Sequence, residues 1–529
     1  MRKSSRALAL FLVLFGPAAA LMAADSQASA TREFVVAYSP RPVNLDPLHT
    51  FTSMESQFFT AIYEGLVVAD PLTLEPVPGV ATRWETRDEG RIYRFTLRQG
   101  AVYSNGDPVR ARDFVDSWLR MIDPAENAEY SFLFDVIKGA RAYRAGELKD
   151  PAKVGVRAIS DRVLEVELEK PAPHFLKMLT HISFVPLHPS LVRSTGWNSA
   201  RTVIGNGPFV ITRRTDSEIV LDKNPLYWDA DSLGVDRLRI RFIDDAAAAT
   251  DAYMAGQIQW STTWEANSLD TTDKVEAFPM FGTTFLYFAC DRVPWNNSKV
   301  RRGLGLLVPW DKVRDPKIHV FPAATLIPDI PSYPAATGIE AQQVEEGKRL
   351  LSEAGFPDGK GLPPLVIKVG TGSAEIVNMI AEAWKSLIGL EVVVTEVDPD
   401  AYYAEIKKRD FALGISTWIG DYADPLTFLQ LWTTGSNLND ARFSDKDYDA
   451  AVDESVSILD STKRYQRLAD AEQILLTKAV VLPLDHSAAV HLIDLKRIDG
   501  WYPNPLDLHP FKFIKFKERK APQGIAMAF

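Results

Sequence analysis

The chain has 529 residues, a formal net charge of −10, 46% apolar and 24% charged residues, and a single cysteine. That length exceeds one ordinary domain and implies two or three globular units with large cores. The composition excludes wholesale disorder and short-period repeats, the acidic balance without a Lys/Arg stripe or zinc-finger spacing disfavours nucleic acid, and one cysteine excludes an intramolecular disulfide.

The first 30 residues have the physics of an export signal. Arg2, Lys3 and Arg6 precede an apolar run from Ala7 to Phe15, which Gly16-Pro17 ends. Small-residue sites follow at Ala18-Ala19-Ala20 and Ala28-Ser29-Ala30, so cleavage is expected between 20 and 30. The apolar run is far short of the roughly 20 residues that span a bilayer. The region has no cysteine to carry a lipid, so the expected product is a soluble periplasmic protein and not a lipoprotein.

Glu33 to Tyr38 reads as a strand, followed by a proline-punctuated loop and a helix from about Met54 to Tyr63. Tyr93, Phe95 and Leu97 alternate with polar residues as in a half-buried strand, and Ser104-Asn105-Gly106-Asp107-Pro108 is a turn. Phe114, Val115, Trp118, Leu119 and Ile122 recur at helical spacing until Asp123-Pro124. Leu164, Val166 and Leu168 mark another strand, with Glu165, Glu167 and Glu169 expected to face away. Cys290 reads as a small buried hydrophobe closing the strand-like run from Thr284. Beyond it the pattern changes: a helix over 341–354, a strand over 365–369, an amphipathic helix from Ile376 to Ile388, a strand over 390–397 and a helix over 402–408. Strands alternating with helices predict an α/β layer domain.

Motifs for catalysis are missing. No H-E-x-x-H, G-x-S-x-G or C-x-x-C occurs, and Gly355 to Gly361 lacks the spacing and the Ser/Thr of a phosphate loop. His174, His181 and His188 are evenly spaced, but prolines between them prevent one continuous helix, so structural histidines are expected rather than metal ligands. Neither an enzyme, nor a cofactor, nor a metal site is expected.

Several ordered pieces together resemble one family. They include Glu64-Gly65-Leu66, Pro78-Gly79-Val80-Ala81, Ser104-Asn105-Gly106-Asp107-Pro108, Asn206-Gly207-Pro208-Phe209, Tyr227-Trp228, Val300-Arg301-Arg302 and Tyr448-Asp449. In this order they are similar to the extracellular solute-binding proteins of the oligopeptide and dipeptide import class, family 5. The resemblance implies a type II periplasmic-binding-protein-like α/β fold, two lobes around a hinge with an extra domain inserted in the first. The expected division is 31–65, 190–285 and 505–529 for lobe I, 66–189 for the insert and 286–504 for lobe II, with chain crossings near 285 and 505.

The same resemblance implies a function: capture of short peptides for an inner-membrane ABC permease, by a monomer. Alternatives on the same fold are a metal chelate, haem, a sugar or a cell-wall peptide; a secreted hydrolase is a further alternative. Trp418-Ile419-Gly420-Asp421-Tyr422-Ala423-Asp424-Pro425 resembles the segment in which one acid, here Asp421, meets the peptide's α-amino group. Such a charge-assisted pair suits a water-poor cleft. Asp424 beside Pro425 suits a turn instead. Trp418 fits cleft wall or core equally. By resemblance the strand edges holding the peptide backbone are Phe51, Thr52 and Ser53 on one side and Thr417, Trp418 and Ile419 on the other. Tyr130 matches a peptide-facing tyrosine, or packs beneath its loop. Ile415 stands where some relatives have an arginine, which leaves Lys407 and Lys408 as the nearby cations.

Overall fold

The computed structural model describes residues 31–50, 52–192, 203–265, 274–317, 319–330, 332–371, 374–398 and 401–517. The expected signal peptide, and Phe51 of the expected site, lie outside them. Among the described residues no helix is long and apolar enough to cross a membrane.

In chain order the organising strands are β1 (Glu33–Tyr38), β2 (Ala81–Arg87), β3 (Ile92–Leu97), β4 (Val156–Ser160), β5 (Val163–Glu167), β6 (Phe209–Arg214), β7 (Glu218–Lys223), β8 (Arg237–Phe242), β9 (Trp260–Ser261), β10 (Val275–Phe288), β11 (Leu365–Gly370), β12 (Val392–Val397), β13 (Leu413–Ile419) and β14 (Val481–Ile493). One ten-stranded sheet runs β12-β11-β13-β10-β14-β9-β1-β8-β7-β6, and a separate sheet runs β2-β3-β5-β4. The main helices are α1 (Ser53–Ile62), α2 (Ala111–Met121), α3 (Val344–Glu353), α4 (Ala374–Ile388), α5 (Tyr402–Lys407) and α6 (Ser461–Thr477).

Local patterning accounts for these elements. Tyr93, Phe95 and Leu97 of β3 are buried, as period-two alternation requires. On α2 the buried face is Phe114, Val115, Trp118 and Met121; on α4 it is Val377, Ile380, Trp384 and Ile388, each following helical spacing. Glu165 departs from its expected outward position: it is 9% exposed and lies between Arg94 and Arg157, with Arg157 Nη2 3.2 Å from Oε1. A guanidinium on each side offsets the desolvation of that carboxylate. Cys290 is half-buried beyond the end of β10, and burial pushes its thiol up to about 11.

Two strands carry the chain between the lobes. The first half of β10 pairs with β14 through Val275↔Leu492 to Pro279↔Ala488, and its second half through Thr283↔His486 to Tyr287↔Val481, with a register break between Pro279 and Thr283. The end of β14 also pairs with β9, which pairs with β1. Residues 488–493 therefore sit on the β9–β1 side of the large sheet and residues 481–486 on the β13 side, with β14 running across both. β14 is one continuous strand there, with a second irregularity in its pairing between Thr284 and Phe285, so the sequence at this point is not loop-like. At Pro505 the chain returns to the same waist, where its carbonyl accepts from Phe281 N–H at 2.6 Å.

Many pieces of the family resemblance brace the root of α1. The Glu64 carboxylate accepts from Tyr227 Oη, from Trp228 Nε1 at 2.6 Å and from Lys512 Nζ at 2.7 Å. Asn206 bridges the backbone N–H and C=O of Glu64 at 3.1 and 2.8 Å. Gly207 allows the close approach: a Cβ there would lie 2.5 Å from the Ile62 carbonyl carbon. Arg301, also from the resemblance, is 3% exposed and donates to the carbonyls of Trp295 and Lys478.

Candidate ligand-binding site

A cavity of about 820 Å³ lies between the lobes and the insert, within the range of sites that enclose small ligands. Its wall includes Thr52, Ser53, Tyr130, Thr417, Trp418, Ile419 and Asp421. Every expected site residue that the structure describes thus borders one space. Ile415 and Lys408 do not line it, but Lys407 does.

The segment before α1 differs from the expected strand edge. Thr52 is extended but unpaired in any sheet, and it caps the helix, its Oγ1 accepting from Glu55 N–H at 3.2 Å while the Glu55 carboxylate accepts from the Thr52 backbone. The reciprocal box satisfies two orphan donors of the first turn. Ser53 is the first helical residue. The cavity meets a helix start here, not a strand.

The opposite wall is a true strand edge. β13 pairs with β10 along its length, whereas β11 pairs with it only at Leu413 and Gly414. Beyond that, Tyr402 Oη accepts from Ile415 N–H at 3.2 Å and donates to its carbonyl at 2.6 Å. Backbone groups in a strand alternate sides, so the N–H and C=O of Thr417 and Ile419 face the same way as those of Ile415. Among the described residues no strand covers them.

Asp421 follows the end of this strand. Gly420 N–H donates to Phe281 O at 2.7 Å, Asp421 N–H donates to Thr427 Oγ1 at 2.9 Å, and the Thr427 hydroxyl returns a bond to Oδ2 at 3.3 Å. Its side chain is 6% exposed. Burial pushes the carboxyl up to about 7, against the opposing hydrogen bonds from Thr427 and Tyr130. The nearest ring nitrogen, His181 Nε2, is 3.8 Å from Oδ1. That ring is neutral: burial pushes it down to about 3, and its Nδ1 accepts from Ser183 N–H. Asp421 is therefore a buried acid facing a cavity with no cation beside it among the described residues, an arrangement that is costly when the site is empty.

Asp424 is the contrast. Arg464 on α6 holds it through Nη1–Oδ2 at 2.6 Å and Nη2–Oδ1 at 2.8 Å, and the ring of Tyr422 stacks on His174 at 6.1 Å. Burial raises the Asp424 carboxyl, but the guanidinium outweighs it and keeps the group below the usual range. Asp424 also accepts from Leu426 N–H at 3.0 Å, the turn role expected for it.

Tyr130 lines the cavity and packs within the protein. It is buried against His181 at 4.6 Å between ring centres, and its hydroxyl reaches Asp421 from the insert. Trp418 is half-buried with its Nε1 unpartnered among the described residues, as are Tyr63 Oη and Trp432 Nε1, which also border the cavity. His181 was expected as a structural histidine and not at the site, and Thr427 and Trp432 escaped the sequence reading. Their roles depend on contacts between segments far apart in the chain, and no local pattern announces them.

One cluster has the residue types of a metal centre: His491, Asp507 and His509. Both histidines place Nε2 on Asp507 Oδ1, at 2.8 and 2.9 Å, while Trp260 Nε1 and Asn504 Nδ2 approach the two Nδ1 atoms at 3.2 and 3.4 Å. In that arrangement each Nε2 carries a hydrogen and each Nδ1 lone pair is engaged, so the imidazoles offer no free ligand atom. The cluster braces the waist beneath the cavity.

Comparison with known proteins agrees with this geometry. Residues 75–440 match the family model for bacterial extracellular solute-binding proteins, family 5 Middle. The dipeptide-binding protein DppE of Bacillus subtilis is 27% identical over 90% of this chain and 89% of its own length. The probable deoxycholate-binding periplasmic protein YgiS of Escherichia coli is 30% identical over 94% and 97%. The structure of the murein tripeptide binding protein MppA of Escherichia coli superposes with a TM-score of 0.84 at 27% identity, covering 93% of this chain and 99% of that one. The unliganded open form of MppA superposes with a TM-score of only 0.66, at 28% identity over 92% and 98%. In this structure Arg144 Nη1 lies 3.1 Å from Asn437 Oδ1 and Lys170 Nζ 2.8 Å from Asp453 Oδ2.

Proposed function

The chain belongs to the bacterial extracellular solute-binding proteins of family 5, and from that premise we propose that it is a periplasmic receptor that binds short peptides and hands them to an ABC transporter. The observation that carries this reading is Asp421, a buried carboxyl bordering the cavity with no cation among the described residues. An ammonium group supplies the missing charge and a directed hydrogen bond. Beside it, the uncovered edge at Thr417 and Ile419 can take main-chain hydrogen bonds from an extended ligand without reading its side chains. Thr52 and Ser53 border the ligand from the start of α1, Tyr130 from the insert, and Trp418 from the strand.

The relatives are binding proteins, and the reading gives this chain no catalytic step. Lobe I comprises 31–65, 190–285 and the C-terminal part, the insert 66–189, and lobe II the remainder up to the crossing in β14. This division is supported by the separate sheet β2-β3-β5-β4 and by the pairing of β10 with β14. Residues 1–30 act as a cleaved signal without a lipid anchor, and one copy docks on the permease.

Native mass spectrometry of the purified mature protein, with identification of what denaturation releases, tests the reading. Release of peptides a few residues long supports it. An empty protein that binds deoxycholate but no peptide overturns it, because that ligand has no amine for Asp421.

A further inference from the structure

The charged groups of the cavity wall are engaged by a charged group or an imidazole within 3.5 Å, with two exceptions. Lys512 is held by Glu64, Lys407 Nζ by Asp440 Oδ1 at 2.7 Å, and Glu129 faces His49 at 3.5 Å. Asp507 is shared by its two histidines. The exceptions are Asp421 and Arg41. Arg41 lies in the loop after β1, lines the cavity and is exposed. Among the described residues its guanidinium has neither an ion pair nor a hydrogen bond.

Its setting is rigid. Pro40 and Pro42 flank it, and a residue before proline is confined to extended conformations, so little backbone entropy is lost when the side chain engages a ligand. A guanidinium presents a planar fork of donors that matches a carboxylate. Arg41 comes from lobe I and Asp421 from lobe II, so the wall offers one unpaired cation and one unpaired anion from opposite sides. The complement of that pattern is a zwitterion.

We propose that Arg41 receives a carboxylate of the bound peptide, so that the receptor selects peptides carrying a free carboxylate as well as a free amine. The inference rests on the peptide reading above. The carboxylate is either the α-carboxylate or an acidic side chain, and the experiment separates the two.

Calorimetric titration of the mature protein with Ala-Glu-Ala, Ala-Gln-Ala and the C-terminal amide of each is the test. In the wild type, removing the carboxylate that Arg41 reads weakens binding by about tenfold or more. If the Gln peptide shows the loss, the source is the side chain; if the amide does, it is the terminus. In Arg41→Gln the ratio collapses toward one, and in Arg41→Lys, which keeps the charge but loses the fork, it is intermediate. A ratio that survives unchanged in Arg41→Gln, or is near one in the wild type for both losses, overturns the assignment while leaving the peptide reading intact. A wild type that binds none of the four peptides overturns the peptide reading itself.

Discussion

Arg464 closes a bidentate pair on Asp424, with both contacts under 3 Å, while Asp421, three residues earlier, has only the hydroxyls of Thr427 and Tyr130 and a neutral histidine. Two aspartates on one turn thus differ in purpose. One is neutralised inside the protein; the other is left for a charge from outside.

Asp421→Asn should therefore act in opposite directions on binding and stability. Losing the charged acceptor weakens peptide binding by about tenfold to a hundredfold. Removing a buried unpaired acid stabilises the empty protein at neutral pH. Calorimetric titration and thermal unfolding of the ligand-free protein measure the two effects, and equal peptide affinity in both proteins would refute the amine contact.

The pH dependence follows from the same group. Its folded value of about 7 lies above the ordinary 3.8, so between those values the folded protein holds a proton that the unfolded chain has released. Stability from this group is full below about 4 and declines by on the order of 1 kcal/mol per pH unit as pH rises toward 7. Glu472, buried and also pushed up to about 7, adds a slope of the same sign, so Asp421→Asn should remove only part of it. Denaturant titrations of the empty protein between pH 4 and 8 would show this.

Ligand binding should carry the mirror image. An ammonium requires the ionised carboxylate, so below about 7 binding expels a proton and affinity climbs with pH from 5 to 7. Titrations in buffers of different ionisation enthalpy count that proton. A constant affinity over this window would separate Asp421 from the amine.

Breaking the closed pair should behave differently. Arg464→Met leaves Asp424 buried without its cation and should cost roughly 3–5 kcal/mol of folding stability. Chemical denaturation measures the loss, and an unchanged midpoint would show that the pair contributes little.

Gly420→Ala tests the support of the acid. A Cβ there would lie 2.6 Å from the Phe281 ring and 2.8 Å from Thr427 Cγ2, so Thr427 must shift away from Asp421. Affinity should fall by about tenfold, with a stability loss of roughly 1–3 kcal/mol from the overpacking.

Local physics made much of the fold legible. β1 occupies the span read from its apolar run, and α4 follows the spacing of Val377, Ile380 and Trp384. Thr52 and Glu55 carry a capping-box spacing that would have revealed a helix start where a strand edge was expected. The length of β14 was hidden because it runs across the large sheet as one strand, without glycine or proline at residues 484–493. The site was legible as far as one segment, Trp418 to Asp421, carried it. His181 and Arg41 reach the same cavity from distant parts of the chain, and residue type alone does not disclose that convergence.

The register break in β10 has a mechanical consequence. Met280, Phe281 and Gly282 have no partner residues in β14, while pairing resumes on either side. Backbone compliance concentrates where rungs are missing, and here, among the described strands, only β13 reaches the gap, at Gly282 through Ile419. The bond of Gly420 to Phe281 thus ties the residue before Asp421 to the stretch of β10 that β14 leaves unpaired.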